Sequence, residues 1–331
     1  METTTPATNS EPPAQPAPPP RVLVVGTGAI GGYYGGRLAQ AGLEVAALCR
    51  SDFATVQSRG IHIESLQENF DFAPRPVLRQ LTDYDGYPDY ILVTLKVLPE
   101  IVTADIIRPV VGPGTVIVLI QNGVEIESSV ADAFPNHEIL SGLAFICVSR
   151  IAPGLLRHTC HGRLAIGRYP QGGSPAAESL AHWFRRAGTS CTVSPAIVTD
   201  RWRKLVWNAP FNPLSVLAGG LTTQDIMASP RLADLARRVM EEVLAIAEAA
   251  GHPLPPEVVE RNLTETRAMY PYKTSMLLDY EAKRPMEVEA ILGNAVRKAH
   301  SLGIAAPRLE TLYALLTREH DETGGSVTQP G

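Results

Sequence analysis

The sequence is poor in cysteine and contains no long hydrophobic run. Only four of its 331 residues are cysteines, and no two of them form a C-x-x-C pair. We therefore expect four reduced thiols, as in cytosolic proteins, and no disulfide framework. The longest apolar run has only the length of a β-strand, so no transmembrane helix is expected. These absences argue against a membrane protein and against a small secreted domain.

An excess of positive charge is absent as well. Lys and Arg number 29, Asp and Glu number 34, and the formal net charge is -5, with no basic cluster. A mildly acidic chain of this kind is not typical of nucleic-acid-binding proteins. Hydrophobic residues make up 45% and charged residues 19% of the chain, which is a globular composition. The length suffices for about two domains.

Both ends of the chain lack this globular character. Residues 1–20 contain seven prolines but neither Lys nor Arg. A signal peptide needs a basic start and an apolar centre, and this segment has neither. We expect a disordered, proline-rich tail over residues 1–20 and a loose polar tail over residues 319–331. A cytoplasmic location is expected.

The pattern between the tails changes once. Over residues 21–194, β-branched runs such as RVLVV, YILVTL and VIVLI alternate with helix-like segments. This alternation is typical of βαβ units and a parallel sheet. Over residues 195–318, long amphipathic stretches follow, for example at 231–250 and 286–303. The sequence therefore predicts an α/β, Rossmann-type dinucleotide-binding N-terminal domain and an all-α C-terminal domain.

A glycine-rich turn follows the first predicted strand, Val22–Val25. It has the form G-x-G-x-x-G, opens a predicted helix and is followed by a second strand. In that context the first glycine permits the tight turn, the second lets the backbone approach a pyrophosphate, and the third lets the helix pack closely on the strand. The helix N-terminus offers N–H groups to phosphates. A purely structural turn is the alternative. The residues predicted to bind the dinucleotide are Gly26, Thr27, Gly28, Ala29, Ile30 and Gly31.

The end of the second predicted strand, Val45–Cys49, indicates which dinucleotide is preferred. NAD sites usually carry Asp or Glu there, which accepts a hydrogen bond from the ribose 2′-hydroxyl. This chain has Arg50 and Ser51 instead, and Asp52 lies beyond the position at the strand end where the acidic residue is expected. A guanidinium suits a 2′-phosphate, so we expect NADPH rather than NADH. The alternative is that Arg50 is an ordinary surface residue.

Polar residues follow two further predicted strands. Lys96 ends the run YILVTLK, and Asn122 follows the run VIVLI. Ligands of open α/β sheets bind at the carboxyl ends of the strands. Both residues are therefore candidates for a site. A helix-entry lysine and an Asn-Gly turn are the respective alternatives.

The predicted helical domain carries a polar stripe of Lys204, Asn208 and Asn212. These residues recur every four positions amid apolar neighbours, so they lie on one helical face. A cation and two amides are costly to bury without partners, and we interpret the stripe as a site rather than a solvent-facing surface. Pro213 is expected to end or kink this helix. Further along, Glu287 lies near a predicted helix N-terminus, where stabilisation of that terminus explains it as well as catalysis does.

The segment with His158, Cys160 and His161 does not predict a metal site. On a strand, His158 and Cys160 face one way and His161 the other, so the three residues do not share an ion easily. No second cluster in the sequence completes a set of four ligands. We expect no metal.

Taken together, the motifs resemble those of the ketopantoate reductase (2-dehydropantoate 2-reductase) family over residues 21–318. The tandem of W-x-K-L-x-x-N-x-x-x-N-P-L with S-M-x-x-D and a following E-V-E is specific to that family, whereas G-x-G-x-x-G alone is not. Two features depart from the family pattern: the proline-rich tail, and LGN where other members have an Asn-Gly pair. The matching motifs are GTGAIGG (26–32), LVTLK (92–96), QNG (121–123), WRKLVWNAPFNPLS (202–215) and SMLLD with MEVEAILGN (275–294).

The resemblance implies a fold of two domains, an activity and roles for single residues. Lys204 matches the family's proton donor, and Glu287 matches its acid near substrate and cofactor. The implied activity is NADPH-dependent reduction of 2-dehydropantoate to pantoate, on the pantothenate route to coenzyme A, with a homodimer left open. The alternatives are a paralogue acting on another 2-oxo acid and a non-catalytic NADPH-sensing regulator. The implied substrate contacts are Asn122, Lys204, Asn208, Asn212 and Ser275, and the implied cofactor contacts beyond the glycine-rich turn are Arg50, Lys96, Asn122 and Glu287.

Overall fold

The computed structural model describes residues 18–322. Residues 1–17 of the predicted proline-rich tail and residues 323–331 of the predicted C-terminal tail lie outside the described part of the chain. All strands of the described part precede residue 194. They are β1 (Arg21–Val25), β2 (Glu44–Leu48), β3 (Ile61–Ser65), β4 (Phe70–Phe72), β5 (Val77–Leu78), β6 (Tyr90–Val93), β7 (Val116–Ile120), β8 (Ile139–Ala152), β9 (Leu155–Arg168) and β10 (Cys191–Val193).

These strands form a ten-stranded sheet. Its order is β4-β3-β9-β8-β7-β6-β1-β2-β5, with β10 beside β9. The run β5-β2-β1-β6-β7-β8 is parallel throughout. This is the strand order of the doubly wound dinucleotide-binding fold, in which the order reverses between β1 and β6. The central strands RVLVV, YILV and VIVLI are almost entirely buried, as strands covered on both faces must be.

Helices cover both faces of the sheet. Helix α1 packs against β1 through glycines, because a Cβ on Gly35 would lie only 2.9 Å from the Val24 side chain. The buried apolar residues divide into one cluster on each side of the sheet. Each fully buried side chain of this kind contributes roughly 1.5–3 kcal/mol to stability. The helices of this region are α1 (Ala29–Gln40), α2 (Phe53–Arg59), α3 (Thr103–Ile107), α4 (Ser128–Ala133) and α5 (Pro175–Arg186).

The rest of the described chain is helical. Helix α6 lies at its centre, with Trp202 and Phe211 fully buried in one large apolar cluster. The prediction that the glycine-terminated stretch 231–250 is a helix matches α8. The predicted helix 286–303 begins two residues later and contains a π-helical turn, Glu289–Gly293. The helices are α6 (Ile197–Leu217), α7 (Thr223–Ala228), α8 (Pro230–Ala249), α9 (Glu257–Ala268), α10 (Ser275–Glu281), α11 (Asn294–Leu302) and α12 (Pro307–Glu322).

Two helix ends differ from the predictions. Helix α6 continues through Pro210 and Pro213 to Leu217, so Pro213 does not end it. A proline inside a helix costs about 3 kcal/mol, which the buried apolar residues on both sides of Pro213 offset. At the C-terminus, α12 continues to Glu322, so residues 319–322 are helical and not loose.

The cysteines also differ from the prediction of four reduced thiols. Cys147 on β8 and Cys160 on β9 face each other in the strand register and form a disulfide. Their sulfurs lie near the hydroxyl of Tyr270, which belongs to the helical domain. Cys49 and Cys191 are free and buried. The two cysteines are thirteen residues apart in sequence, and this spacing alone does not indicate a disulfide. They meet because β8 and β9, the two longest strands, form a hairpin.

Candidate active site

The glycine-rich turn connects β1 to α1 at the point where the strand order reverses. Gly26 has φ +101°, and a Cβ there would meet the Leu95 backbone nitrogen at 2.7 Å. A Cβ on Gly31 would lie 2.5 Å from the Gly26 carbonyl oxygen. Considering residues 18–322, a Cβ on Gly28 would face open space, and no side chain caps the N-terminus of α1. The turn is therefore built for a close approach of backbone N–H groups to an anionic group, so it fits a dinucleotide pyrophosphate.

Lys204 projects from α6 toward the carboxyl ends of the central strands. Its Nζ donates to Asn122 Oδ1 at 2.9 Å and to the Ala144 carbonyl oxygen at 2.8 Å. The Phe145 ring lies 5.4 Å from the same nitrogen. The structure thus joins Lys204 of the helical domain to Asn122, which follows β7. These two residues were predicted as candidates from separate parts of the sequence.

Glu287 extends this chain of hydrogen bonds. Its Oε2 accepts from Asn122 Nδ2 at 3.1 Å, and its Oε1 accepts from the Val97 backbone nitrogen at 3.0 Å. Glu287 precedes the helix that starts at Val288, so its carboxylate is free to reach the other domain. Lys204, Asn122 and Glu287 form a continuous ammonium–amide–carboxylate chain between the domains.

The surroundings of Lys204 change its acidity. Burial lowers the pKa of the Lys204 ammonium to about 8, and the nearby charges of Arg201 and Arg163 act in the same direction. The carboxylate of Glu287 opposes this shift in the pKa. A lysine with a pKa near neutrality is suited to give and to take up a proton under ordinary conditions.

Lys96 follows β6 and binds residues of the helical domain. Its Nζ contacts Asp279 Oδ2 at 2.6 Å and donates to the Pro285 carbonyl oxygen at 2.8 Å. Asp279 also accepts from Arg284 Nε at 2.9 Å. Lys96 therefore ties the end of β6 to the loop that carries Glu287.

The two amides on α6 are placed differently from Lys204. Asn208 borders a small cavity that also exposes Lys204 and Leu143, and Asn212 is buried one turn further along. Within residues 18–322, neither side-chain amide has a hydrogen-bond partner. Buried amides normally find partners, so both are suited to receive a polar ligand. Ser275 is the exposed first residue of α10, and among the hydrogen bonds of the described residues none joins its side chain to Lys204, Asn122 or Glu287.

Arg50 lies exposed just beyond β2. Among the described residues its guanidinium has neither a hydrogen bond nor an ion pair. Asp52 is buried and pairs with Arg150 at 2.7 Å, and Ser51 donates to Asp52 at 2.9 Å. In the described part of the chain, the Asp52 carboxylate at the tip of β2 is thus already paired, whereas the Arg50 guanidinium has no partner.

The structure adds residues that the motif analysis missed. Arg201 and Glu127 form a buried ion pair behind Lys204, and Asp279 binds Lys96. Asp279 stands in the S-M-x-x-D motif and could have been found there. Arg201 stands one helical turn before Lys204, but nothing in the sequence connects it to Glu127.

The structure also bears on a metal site and on membrane-spanning helices. His158 is buried, and both of its ring nitrogens are engaged in hydrogen bonds. Nδ1 bonds to the Ser65 hydroxyl, and Nε2 bonds to the Cys160 and His161 carbonyl oxygens. Within the described part of the chain, no group of three or more His, Cys, Asp or Glu residues is arranged to hold a metal ion. Nor does any helix between residues 18 and 322 have the length and apolar character needed to cross a membrane.

The fold and the glycine-rich turn define a two-domain oxidoreductase of the pyridine-nucleotide-dependent class. Comparison with known proteins identifies the family. The family "Ketopantoate reductase PanE/ApbA" matches residues 22–171, and its C-terminal domain matches residues 196–320. The chain belongs to the ketopantoate reductase family.

Single relatives agree with this assignment. A 2-dehydropantoate 2-reductase from Nostoc sp. is 34% identical over 300 residues, covering 88% of this chain and 93% of the relative. The crystal structure of 2-dehydropantoate 2-reductase from Methylococcus capsulatus is 46% identical with a TM-score of 0.87, covering 94% of this chain and all of that one. D-mandelate dehydrogenase, solved with NADH and anilino(oxo)acetate, shares the fold at 19% identity and a TM-score of 0.84, covering 92% and 99% of the two chains. The predicted fold class and family are thereby confirmed.

Proposed function

We propose that this protein catalyses the NADPH-dependent reduction of 2-dehydropantoate to (R)-pantoate, in pantothenate and coenzyme A biosynthesis. The observation that carries the proposal is the geometry of Lys204. An ammonium group has three N–H donors, and two of them are used by Asn122 and Ala144. The third is left for the oxygen of a substrate carbonyl. The relatives named 2-dehydropantoate 2-reductase supply the substrate of the proposal.

The cofactor side of the proposal rests on residues of the α/β domain. The uncapped turn at Gly26–Gly31 receives the pyrophosphate, and the unpaired Arg50 receives the 2′-phosphate. Lys96 and Asn122 face the cofactor from the ends of β6 and β7. When bound, the reduced nicotinamide supplies the hydride for the C2 carbonyl carbon.

The residues of this chain handle the charge and the proton. As negative charge develops on the carbonyl oxygen, the Lys204 ammonium stabilises it and then donates a proton. Asn122 orients the ammonium through its Oδ1, and Glu287 fixes Asn122 through the other end of the same amide. Asn208, Asn212 and Ser275 bind the carboxylate and hydroxyl groups of the substrate. We assign residues 21–194 to the cofactor domain and 195–318 to the substrate domain, and keep a cytoplasmic location and a homodimer as parts of the proposal.

A panel of 2-oxo acids tests this function by following the loss of NADPH absorbance. We expect 2-dehydropantoate to give the highest kcat/KM. Lys204→Ala should lower kcat by about 10²–10⁴-fold while NADPH affinity changes little, because the phosphates bind in the other domain. Asn208→Ala and Asn212→Ala should instead raise KM more than they lower kcat. Lys298→Ala, which removes a lysine that pairs with Glu125 and is not one of the predicted site residues, serves as the control.

Three outcomes would contradict the proposal in different ways. A folded Lys204→Ala protein that keeps most of its kcat would remove the proton-donor role. A higher kcat/KM for another 2-oxo acid would favour the paralogue. Binding of NADPH without turnover of any 2-oxo acid would favour a sensing regulator.

A further inference from the structure

A buried ion pair lies directly behind Lys204. Arg201 and Glu127 have essentially no exposed side-chain surface, and the Arg201 guanidinium contacts the Glu127 carboxylate. Ser141 completes the cluster, since its hydroxyl donates to Glu127 at 2.7 Å and accepts from Arg201 Nε at 2.7 Å. Neither charged residue belongs to the hydrogen-bond chain of Lys204, Asn122 and Glu287.

The remaining donors of Arg201 bind the segment that contains Asn122. Its Nη1 donates to the carbonyl oxygens of Gln121 at 2.8 Å and Gly123 at 3.0 Å, the two residues that flank Asn122. Its Nη2 donates to the carbonyl oxygens of Leu119 and Gly142, both at 3.3 Å. One guanidinium thus fixes the carboxyl end of β7 to the neighbouring strand β8.

Stability alone does not account for this cluster. Burying two charges costs several kcal/mol per ion, and replacing such a pair by apolar residues is often neutral or stabilising. Arg201 stands one turn before Lys204 on α6, so the same helix holds the proton donor and clamps the backbone on both sides of its hydrogen-bond partner. Arg201 thus binds the residues on both sides of the amide to which Lys204 donates.

We propose that Arg201, paired with Glu127 and oriented by Ser141, is a positioning residue that holds Asn122 against Lys204. The inference rests on the proposed function in so far as Lys204 is the proton donor. Arg201 does not touch the reacting atoms. It acts through the backbone carbonyls of Gln121 and Gly123 and through its charge.

The charge of Arg201 gives the inference a second, electrostatic consequence. The charged groups that face Lys204 are Arg201 on its own helix, Arg163 on β9 and Glu287 from the loop before α11. Burial and the two arginines lower the pKa of Lys204, and Glu287 raises it. Among the described residues, Glu127 is not one of the charges that shift this pKa, so removing Arg201 and Glu127 together should still move the pKa of Lys204 upward.

The test uses three variants of the full chain. Arg201→Met combined with Glu127→Met removes both charges together, so that no unpaired charge stays buried. Arg201→Lys keeps the positive charge but loses the planar guanidinium, whose several N–H groups bind the backbone carbonyl oxygens. Arg203→Met is the matched control, because Arg203 is an exposed neighbour whose one ion pair within residues 18–322 is with Asp200.

The expected results separate positioning from general stability. In the double variant, kcat near neutral pH should fall about tenfold to a hundredfold, with KM for the oxo acid nearly unchanged. The alkaline limb of its pH profile should move to higher pH. Arg201→Lys should lose a similar factor in kcat with the limb left in place. The inference would be overturned if the double variant and Arg201→Lys both lost thermal stability but kept the wild-type kcat and the wild-type alkaline limb. If the double variant does not fold, a wild-type kcat in Arg201→Lys overturns the inference by itself.

A readout that needs no turnover keeps this inference separate from the proposed function. The chain contains only five lysines, so 13C labelling of the lysine Cε atoms allows the Lys204 signal to be identified by its loss in Lys204→Ala. The Lys204 signal should titrate at higher pH in the double variant than in the wild type. If the wild type reduces no 2-oxo acid but the titration moves, the proposed function fails while the coupling stands. An unmoved titration contradicts the coupling whatever the activity.

Discussion

The acidity of Lys204 is set by residues that come from distant parts of the chain. Burial lowers its pKa to about 8, so the ammonium form dominates below that pH and is lost above it. A proton donor must be protonated before the reaction, and we therefore expect kcat/KM for reduction to be level below pH about 8 and to fall as the pH rises through this value. A pH–rate profile checks this. Persistence of the same alkaline limb in the residual activity of Lys204→Ala would contradict the assignment.

Arg50 offers a second test on a single side chain. Arg50→Asp should weaken NADPH binding roughly tenfold to a hundredfold, because a charge-assisted hydrogen bond to a phosphate contributes about 1.5–3 kcal/mol. NADH, which lacks the 2′-phosphate, should bind almost as before. Fluorescence titration with both cofactors measures the difference, and Arg59→Asp makes the same change of charge on an exposed residue of α2. Equal binding of NADPH and NADH by the wild type would refute the role of Arg50.

Single residues also show where prediction from sequence succeeds. Lys204 was predicted because a cation amid apolar residues is costly to bury without partners. Asn122 was predicted because ligands bind at the carboxyl ends of parallel strands. Glu287 was predicted from the resemblance to the family. Arg201 and Glu127 look like ordinary surface residues in the sequence. Only the packing of α6 against the ends of β7 and β8 makes them buried partners. The roles assigned to all these residues stay predictions.

Among the elements of the fold, the π-helical turn Glu289–Gly293 also contacts the segment that carries Asn122. The Ala290 carbonyl oxygen in this turn accepts from the Val124 backbone nitrogen at 3.3 Å. Gly123, next to Asn122, has φ +98°, and a Cβ there would lie 2.3 Å from the same carbonyl oxygen. A glycine is therefore required both for the conformation and for the contact with the helical domain.

Gly123→Ala tests this contact between elements. We expect a loss of about 1–3 kcal/mol in the free energy of unfolding from the left-handed backbone alone, and a further loss from the clash with Ala290. Gly114→Ala is the control, since Gly114 has φ +81° but nothing within 4 Å of its Cβ position. Chemical denaturation should show a larger effect at Gly123, together with lower activity. Equal losses in the free energy of unfolding at the two glycines would mean that the contact with Ala290 contributes nothing to stability.

The elements themselves were largely predictable, whereas some of their ends were not. Hydrophobic alternation and the glycine-rich turn indicated β1, α1, β2 and the helical second half. The continuation of α6 past Pro213 was missed because tertiary packing outweighs the local preference of proline. The disulfide was missed because the irregular register of β8 and β9, which brings Cys147 opposite Cys160, has no signature in the sequence.

At the scale of the whole molecule, the two domains are joined through the candidate site itself. Arg201 and Lys204 bind carbonyl oxygens of the α/β domain, and Glu287 accepts from the Val97 backbone nitrogen. Asn294 Nδ2 donates to the Val124 carbonyl oxygen at 2.8 Å. Because several of these contacts are buried, separating the domains would leave polar groups without partners. The geometry of the site and the cohesion of the molecule therefore depend on the same bonds.

This coupling predicts how the molecule unfolds. Calorimetry should show one cooperative transition for both domains, and NADPH should raise its midpoint, because a ligand at about 100 times its Kd adds roughly 2.7 kcal/mol to the folded state. In the proposed binding mode NADPH contacts the α/β domain through its phosphates, so the helical domain can share the stabilisation only through the bonds between the domains. Tryptophan fluorescence, with Trp202 and Trp207 on α6 and Trp183 on α5, reports on both domains. Two transitions, of which NADPH shifts only the one that involves the α/β domain, would show that the domains unfold independently.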